Sequence, residues 1–237
     1  MTVPLGGQLR AALAWLGRRE RAVLVTLLAV LGAAWAFTEL ADEVLEGETR
    51  AADELLLLSL RTADDPSDPV GPAWLEEMAR DVTGLGGVGI LTFVTLASAG
   101  FLALQRQPHL AWYVLLAVGG GMLLSTLLKA AFDRPRPDLV AHGQVVYTSS
   151  FPSGHSMMSA VAFLTLGALL ASAQSSWLLK AYLLILAALL AVAVGATRVY
   201  LGVHWPTDVL AGWTAGAAWA LACWSFARYL RRRGKVE

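Results

Sequence analysis

The sequence predicts an all-α integral membrane protein: six transmembrane helices, short amphipathic helices in the first extracytoplasmic loop, and both termini in the cytoplasm. Three observations carry this expectation. Apolar residues make up 57% of the 237-residue chain and charged residues only 15%, with a mean hydropathy of +0.58, against roughly 45–50% and 25% for a soluble domain. Six stretches are apolar over nearly the full length that a bilayer demands, about 20 residues each. Arginines crowd at both ends of the chain, which assigns those ends to the cytoplasmic side.

The six stretches cover residues 22–40, 85–104, 111–132, 154–173, 178–196 and 206–226. Alternation at period two is absent, which argues against a membrane β-barrel. The first stretch is too long for a signal-peptide core and lacks a convincing small-residue cleavage site, so it reads as a retained anchor. Arg10, Arg18, Arg19 and Arg21 precede it, and Arg228, Arg231, Arg232, Arg233 and Lys235 follow the last span. Both termini inside require an even number of spans, and Arg106 and Lys180 in the second and fourth connections agree.

The chain then reads as one domain: a cytoplasmic tail over 1–21, an extracytoplasmic amphipathic loop over 41–84, a core over 85–226 and a basic tail over 227–237. From Glu39 to Asp81 the loop is rich in acids, opposed only by Arg50, Arg61 and Arg80. Within it, residues 53–60 and 74–78 are expected to form short amphipathic helices on the membrane surface, on either side of a proline-containing turn. Its acids read as solvating groups, not as catalytic ones. Gly119-Gly120-Gly121, in mid-span, is expected to permit close helix packing.

Composition also narrows the function. The formal net charge is zero, which argues against nucleic-acid binding. Cys223 is the sole cysteine, which excludes an internal disulfide and a cysteine-based metal cluster.

Ionisable residues at span ends are costly and point to function. Away from the tails and the acidic loop they fall at Lys129 to Asp138, at His155, and at Arg198 to Asp208. With alternating spans, all three places converge on the extracytoplasmic face. The chemistry is that of an anion site: Lys129, Arg136 and Arg198 offer cationic donors that match phosphate oxygens. Ser153 is a helix N-cap, Gly154 allows close backbone approach, and the helix start favours an anion. His155 in that first turn can protonate a leaving oxygen. His204 and Asp208 stand four residues apart, so the carboxylate can fix the imidazole tautomer. His109 reads as an interfacial loop residue, and His142, in the active-face loop, has no spaced partner.

Lys129-x6-Arg136-Pro137, Pro152-Ser153-Gly154-His155 and Arg198-x5-His204-x3-Asp208 together resemble the three signature motifs of the type 2 phosphatidic acid phosphatase superfamily. One departure is Thr197, where that family's third motif usually begins with Ser. The resemblance implies a metal-independent phosphomonoesterase or diphosphatase without a cofactor. It makes His204 the nucleophile that forms a phosphohistidine, Asp208 its partner and His155 the general acid. Lys129, Arg136, Ser153, Gly154 and Arg198 would hold the phosphoryl oxygens. The implied partners are membrane lipids and a lipid phosphate substrate at the headgroup level, either undecaprenyl diphosphate, phosphatidylglycerophosphate or phosphatidate. The implied location is a bacterial inner membrane with the site facing outward. The sequence does not choose among these lipids and assigns no oligomeric state.

Two rivals stand beside this reading. A haloperoxidase-like protein would hold vanadate in the same pocket, with His204 as ligand. A non-enzymatic lipid-binding or transport protein would be expected to show inverted repeats and broken helices, or to have lost a catalytic residue, and neither is seen.

Overall fold

The computed structural model describes residues 5–138 and 148–232, with side chains over 23–138 and 148–231. His142, Arg233 and Lys235 lie outside the described residues, as do the side chains of Arg10, Arg18, Arg19, Arg21 and Arg232. Eight helices follow one another among the described residues: α1 (Leu5–Glu46), α2 (Arg50–Leu58), α3 (Ala73–Gly84), α4 (Val88–Leu104), α5 (Pro108–Ala131), α6 (Gly154–Ser172), α7 (Trp177–Tyr200) and α8 (Pro206–Arg232). The β geometry among them is one isolated bridge, Arg61 to Pro69.

Five of these helices are long and apolar enough to cross a membrane, or six if the bent pair α3–α4 counts as one span. Their outer faces expose Phe93, Leu104, Trp112 and Trp177, each more than half accessible. Such a belt on a soluble protein would invite aggregation, whereas lipid covers it here. The chain is an integral membrane protein.

The expected second span, 85–104, differs from what is observed. Helix α4 starts only at Val88, and α3 runs into it at a 48° bend. The break falls on Gly86 and Gly87. A Cβ on Gly86 would stand 2.5 Å from Val194 Cγ1 and 3.2 Å from the His155 carbonyl, so the chain presses here on α7 and on the start of α6.

The two loop helices differ from expectation too. Helix α2 buries Asp53 and Leu57, and α3 buries Ala79 and Thr83. Leu57 packs with Trp205 and Val199, so α2 is docked on the bundle, not spread on the membrane surface alone. An amphipathic stripe cannot distinguish these two fates, because a bilayer and a helix bundle both accept an apolar face.

Helices α6 and α8 form the seam on which the site is built. On α8, a Cβ at Gly212 would stand 2.7 Å from the Ser153 carbonyl, and one at Gly216 would stand 2.5 Å from the Met157 carbonyl. This small-x-x-x-small spacing lets the two backbones touch. Of the mid-span glycines, Gly120 and Gly121 press on Trp219 and Val161, while Gly119 meets nothing. At the site end, Phe37 of α1 joins Phe132 and Phe151, the last two with ring centroids 4.9 Å apart. The first span is thereby tied to both segments that flank the candidate site.

Candidate active site

The structure brings the three charged segments to one end of the bundle. Helix α7 ends at Tyr200, and Gly202 adopts φ +72°, a left-handed turn that a side chain would strain. The N–H groups of Val203 and His204 then donate back to the Arg198 carbonyl at 3.0 and 3.2 Å. This fold-back delivers His204 to the start of α8, where Pro206 opens the helix.

His204 is buried at 2% exposure, and Asp208 is fully buried. The two ring nitrogens have different neighbours. Nδ1 lies 3.3 Å from Asp208 Oδ2, and Nε2 lies 3.1 Å from Arg136 Nη1. A guanidinium can only donate, so Nε2 accepts, and Nδ1 therefore carries the proton that it donates to Asp208. Burial pushes the imidazole well below its ordinary value, to about 3, with Asp208 opposing. His204 is thus a neutral imidazole whose Nε2 lone pair is held by Arg136.

Arg136 also donates to the Val203 carbonyl at 3.0 Å and to the Thr148 carbonyl at 3.2 Å, which fixes its fork beside the imidazole. Burial lowers its pKa from the usual guanidinium value while Asp208 opposes the shift. Lys129, in the last turn of α5, donates from Nζ to the Ser149 carbonyl at 2.8 Å. Its stem lies against Gly154, where a Cβ would come within 3.2 Å of Lys129 Cε. Arg198 is 3% exposed and donates to Thr83 Oγ1 at 3.0 Å, while its Nε has no partner among the described residues.

His155 faces the charges of Arg198, Lys129 and Arg136. His204 faces those of Arg136 and Lys129. The two imidazoles therefore share Lys129 and Arg136 as charged neighbours. Ser153 caps α6, accepting from the Ser156 N–H at 3.5 Å and from Ser156 Oγ at 2.9 Å. Its own N–H donates to the Asp208 carbonyl at 2.9 Å, which joins the start of α6 to the first turn of α8. Among the described residues no three His, Cys, Asp or Glu side chains stand close enough to share a metal ion.

Several functional residues escaped the sequence reading. Arg134 donates to Asp208 Oδ1 at 2.6 Å and to Asp53 Oδ2 at 2.7 Å, bridging two buried carboxylates. Asp53 in turn accepts from the Thr207 N–H at 2.9 Å and from Thr207 Oγ1 at 2.6 Å. Ser150 Oγ donates to Asp208 Oδ2, which also accepts from the Trp205 N–H at 3.0 Å. Trp205, fully buried, donates from Nε1 to the Pro135 carbonyl at 3.0 Å. A chain of charge thus runs Asp53, Arg134, Asp208, His204. The acidic loop, read above as solvation, supplies its first member. The signal was available in part: Asp53 shares a helical face with Leu57, four residues on, and two Arg-Pro pairs stand side by side at 134–137.

Comparison with known proteins agrees with this geometry. Residues 110–232 match the PAP2 superfamily, more than half of the chain. The chain belongs to the PAP2 superfamily. Phosphatidylglycerophosphatase B of Bacillus subtilis is 36% identical over 148 residues, 60% of this chain and 70% of that protein. The crystal structure of a transmembrane PAP2-type phosphatidylglycerolphosphate phosphatase from Bacillus subtilis superposes with a TM-score of 0.77 at 29% identity, over 86% of this chain and 98% of that one. Lipid A 1-phosphatase of Rhizobium etli is 31% identical over 180 residues, 65% of this chain and 73% of that protein. The family expected from the three motifs is the one found, and the helices are those of a transmembrane PAP2 fold. All three PAP2 motifs lie inside the matched region.

Proposed function

We propose that this PAP2 protein is a metal-independent lipid phosphatase acting on a phosphomonoester or diphosphate at the extracytoplasmic face, through a phosphohistidine on His204. One observation carries the reading: a buried, neutral imidazole held at Nδ1 by Asp208 directs its Nε2 lone pair at Arg136, with the charge of Lys129 beside it. Arg136 shields that lone pair in the absence of substrate. A phosphoryl group entering the pocket gives the guanidinium better acceptors and frees Nε2.

The reaction proceeds in two displacements. Nε2 attacks phosphorus, the bond to the leaving oxygen breaks, and His155 gives that oxygen its proton. Asp208 balances the positive charge that the imidazole gains. Lys129, Arg136 and Arg198 stabilise the equatorial oxygens, with Ser153 and Gly154 at the helix start. Water then attacks phosphorus, His155 takes its proton, the P–N bond breaks and inorganic phosphate leaves.

Phosphatidylglycerophosphate is the first substrate to test, given what the Bacillus relative's name says it acts on. Undecaprenyl diphosphate and phosphatidate complete the panel. The site stands at one end of a helix bundle, level with a lipid headgroup whose tails stay in the bilayer. The opposite end carries Arg228 and Arg231, and this positive bias supports the reading that the site faces outward. The test is phosphate release from each lipid by purified protein, with and without chelator. It is joined to trapping of an acid-labile phosphoenzyme in wild type and in His204→Ala. Release and trapping should both vanish in the variant and survive the chelator; full activity in His204→Ala contradicts the nucleophile, and loss on chelation contradicts metal independence.

A further inference from the structure

At the end of the bundle opposite the site, α6, α7 and α8 line an open cleft of about 830 Å³. Its origin lies in how α7 and α8 are joined. Near the site Trp213 Nε1 donates to the Ala191 carbonyl at 2.9 Å, and the Trp213 ring rests against Gly195. Beyond that clasp α7 and α8 part, and small residues of α6 and α8, Ala168, Ala171, Ala217 and Ala220, form the walls of the opening. Leu184 and Trp224 complete an apolar interior, and Lys180, Arg228 and Arg231 line the same cleft.

These cations come from two helices, Lys180 from the first turn of α7 and the arginines from the last turns of α8. All three are exposed, and none has an ion pair among the described residues. Every Asp and Glu with a described side chain lies at the site end or in the 39–81 segment that borders it. Orienting the chain requires basic residues on this side, but it requires no cleft between them. An apolar cleft ringed by cations at membrane depth is what an anionic phospholipid fills, with its acyl chain inside and its phosphate among the basic groups.

We propose that this cleft is a binding site for one anionic phospholipid of the leaflet opposite the active site. The lipid serves as a wedge between α7 and α8 and is not turned over, since every residue of the reaction lies at the other end of the helices. Each cation near an anionic headgroup contributes roughly fivefold in affinity. Two of them should therefore separate phosphatidylglycerol from phosphatidylcholine by at least about tenfold.

The experiment uses the full chain in detergent, titrated with dioleoyl phosphatidylglycerol or dioleoyl phosphatidylcholine. Saturating inorganic phosphate occupies the catalytic pocket throughout. Native mass spectrometry counts retained lipids, and thermal melting reads stabilisation. We expect one retained phosphatidylglycerol at roughly tenfold preference, a preference that collapses in Lys180→Gln/Arg228→Gln, and loss of both lipids in Ala220→Trp, which fills the cleft. These variants lie outside the catalytic machinery, so retained phosphatase activity certifies their fold. Equal retention of the two lipids by the wild type, which needs no variant, overturns the proposal. So does an undiminished preference in the charge variant, or stabilisation by water-soluble glycerophosphoglycerol alone.

Discussion

Replacing Asp53 by Asn tests whether the loop helix α2 takes part in catalysis without touching substrate. Asp53 is 1% exposed and accepts hydrogen bonds from Arg134 and from both the N–H and the hydroxyl of Thr207. The change keeps shape but removes the charge and turns one acceptor into a donor facing Arg134 or Thr207. Arg134, which now divides itself between two carboxylates, is left to Asp208 alone. Asp208 then has less negative charge to offer His204 as the imidazole becomes cationic in the transition state. A hydrogen bond to a charged group is worth about 1.5–3 kcal/mol, and about 1.4 kcal/mol of transition-state stabilisation is tenfold in rate. The kcat should therefore fall at least about tenfold, while KM stays within about twofold because Asp53 lies outside the pocket. The assay is phosphate release from phosphatidylglycerophosphate in micelles, with a thermal melt on the same preparation. Leu57→Ala is the control: it trims the contact of α2 with Trp205 and lowers the melt by removing a fully buried side chain, yet keeps the Asp53 carboxylate and its three hydrogen bonds. An unchanged kcat in Asp53→Asn, or an equal loss in Leu57→Ala, would refute the argument.

Three further outcomes follow from the same geometry. His155→Ala should lower turnover by about 10²–10⁴ on lipid phosphates and by much less on an activated aryl phosphate, whose leaving group needs no proton; stopped-flow phosphate release separates the two. Because burial holds His204 neutral to about 3, a falling pH should not protonate the free nucleophile near 6.5, its ordinary value. The acid limb of kcat/KM should lie well below that value, and a limb at 6.5 that persists in His155→Gln would contradict the assigned burial. Gly216→Ala places a methyl 2.5 Å from the Met157 carbonyl, an overpacking worth about 1–3 kcal/mol. It should lower the melting temperature in detergent, whereas Gly119→Ala, with nothing within 4 Å, should not.

The spans were readable because a bilayer imposes one length and one composition on whatever crosses it, and the residues of the three motifs stand out as charges with no cheaper reason to be at span ends. What the sequence left hidden lies where one pattern serves two structures. The stripe on α2 fits a membrane surface as well as a bundle, and only the placement of Leu57 on Trp205 decides. Asp53 is one acid in an acidic stretch, and nothing local marks it as the one that Arg134 reaches across 81 residues. Arg134 sits beside Arg136 in the same short segment, yet one turns to the carboxylates and the other to the imidazole. Gly212 and Gly216 carried a legible spacing, the signature of two backbones in contact.

That glycine seam has a mechanical corollary. His155 rides on α6 and His204 immediately precedes α8, and the seam leaves no side-chain layer between those two helices to slide on. The two imidazoles therefore travel as one rigid block. Lys129 and Arg198 ride on α5 and α7, outside that block. Headgroups of different bulk must then be accommodated by the walls carrying the cations, while the separation between the two imidazoles stays fixed.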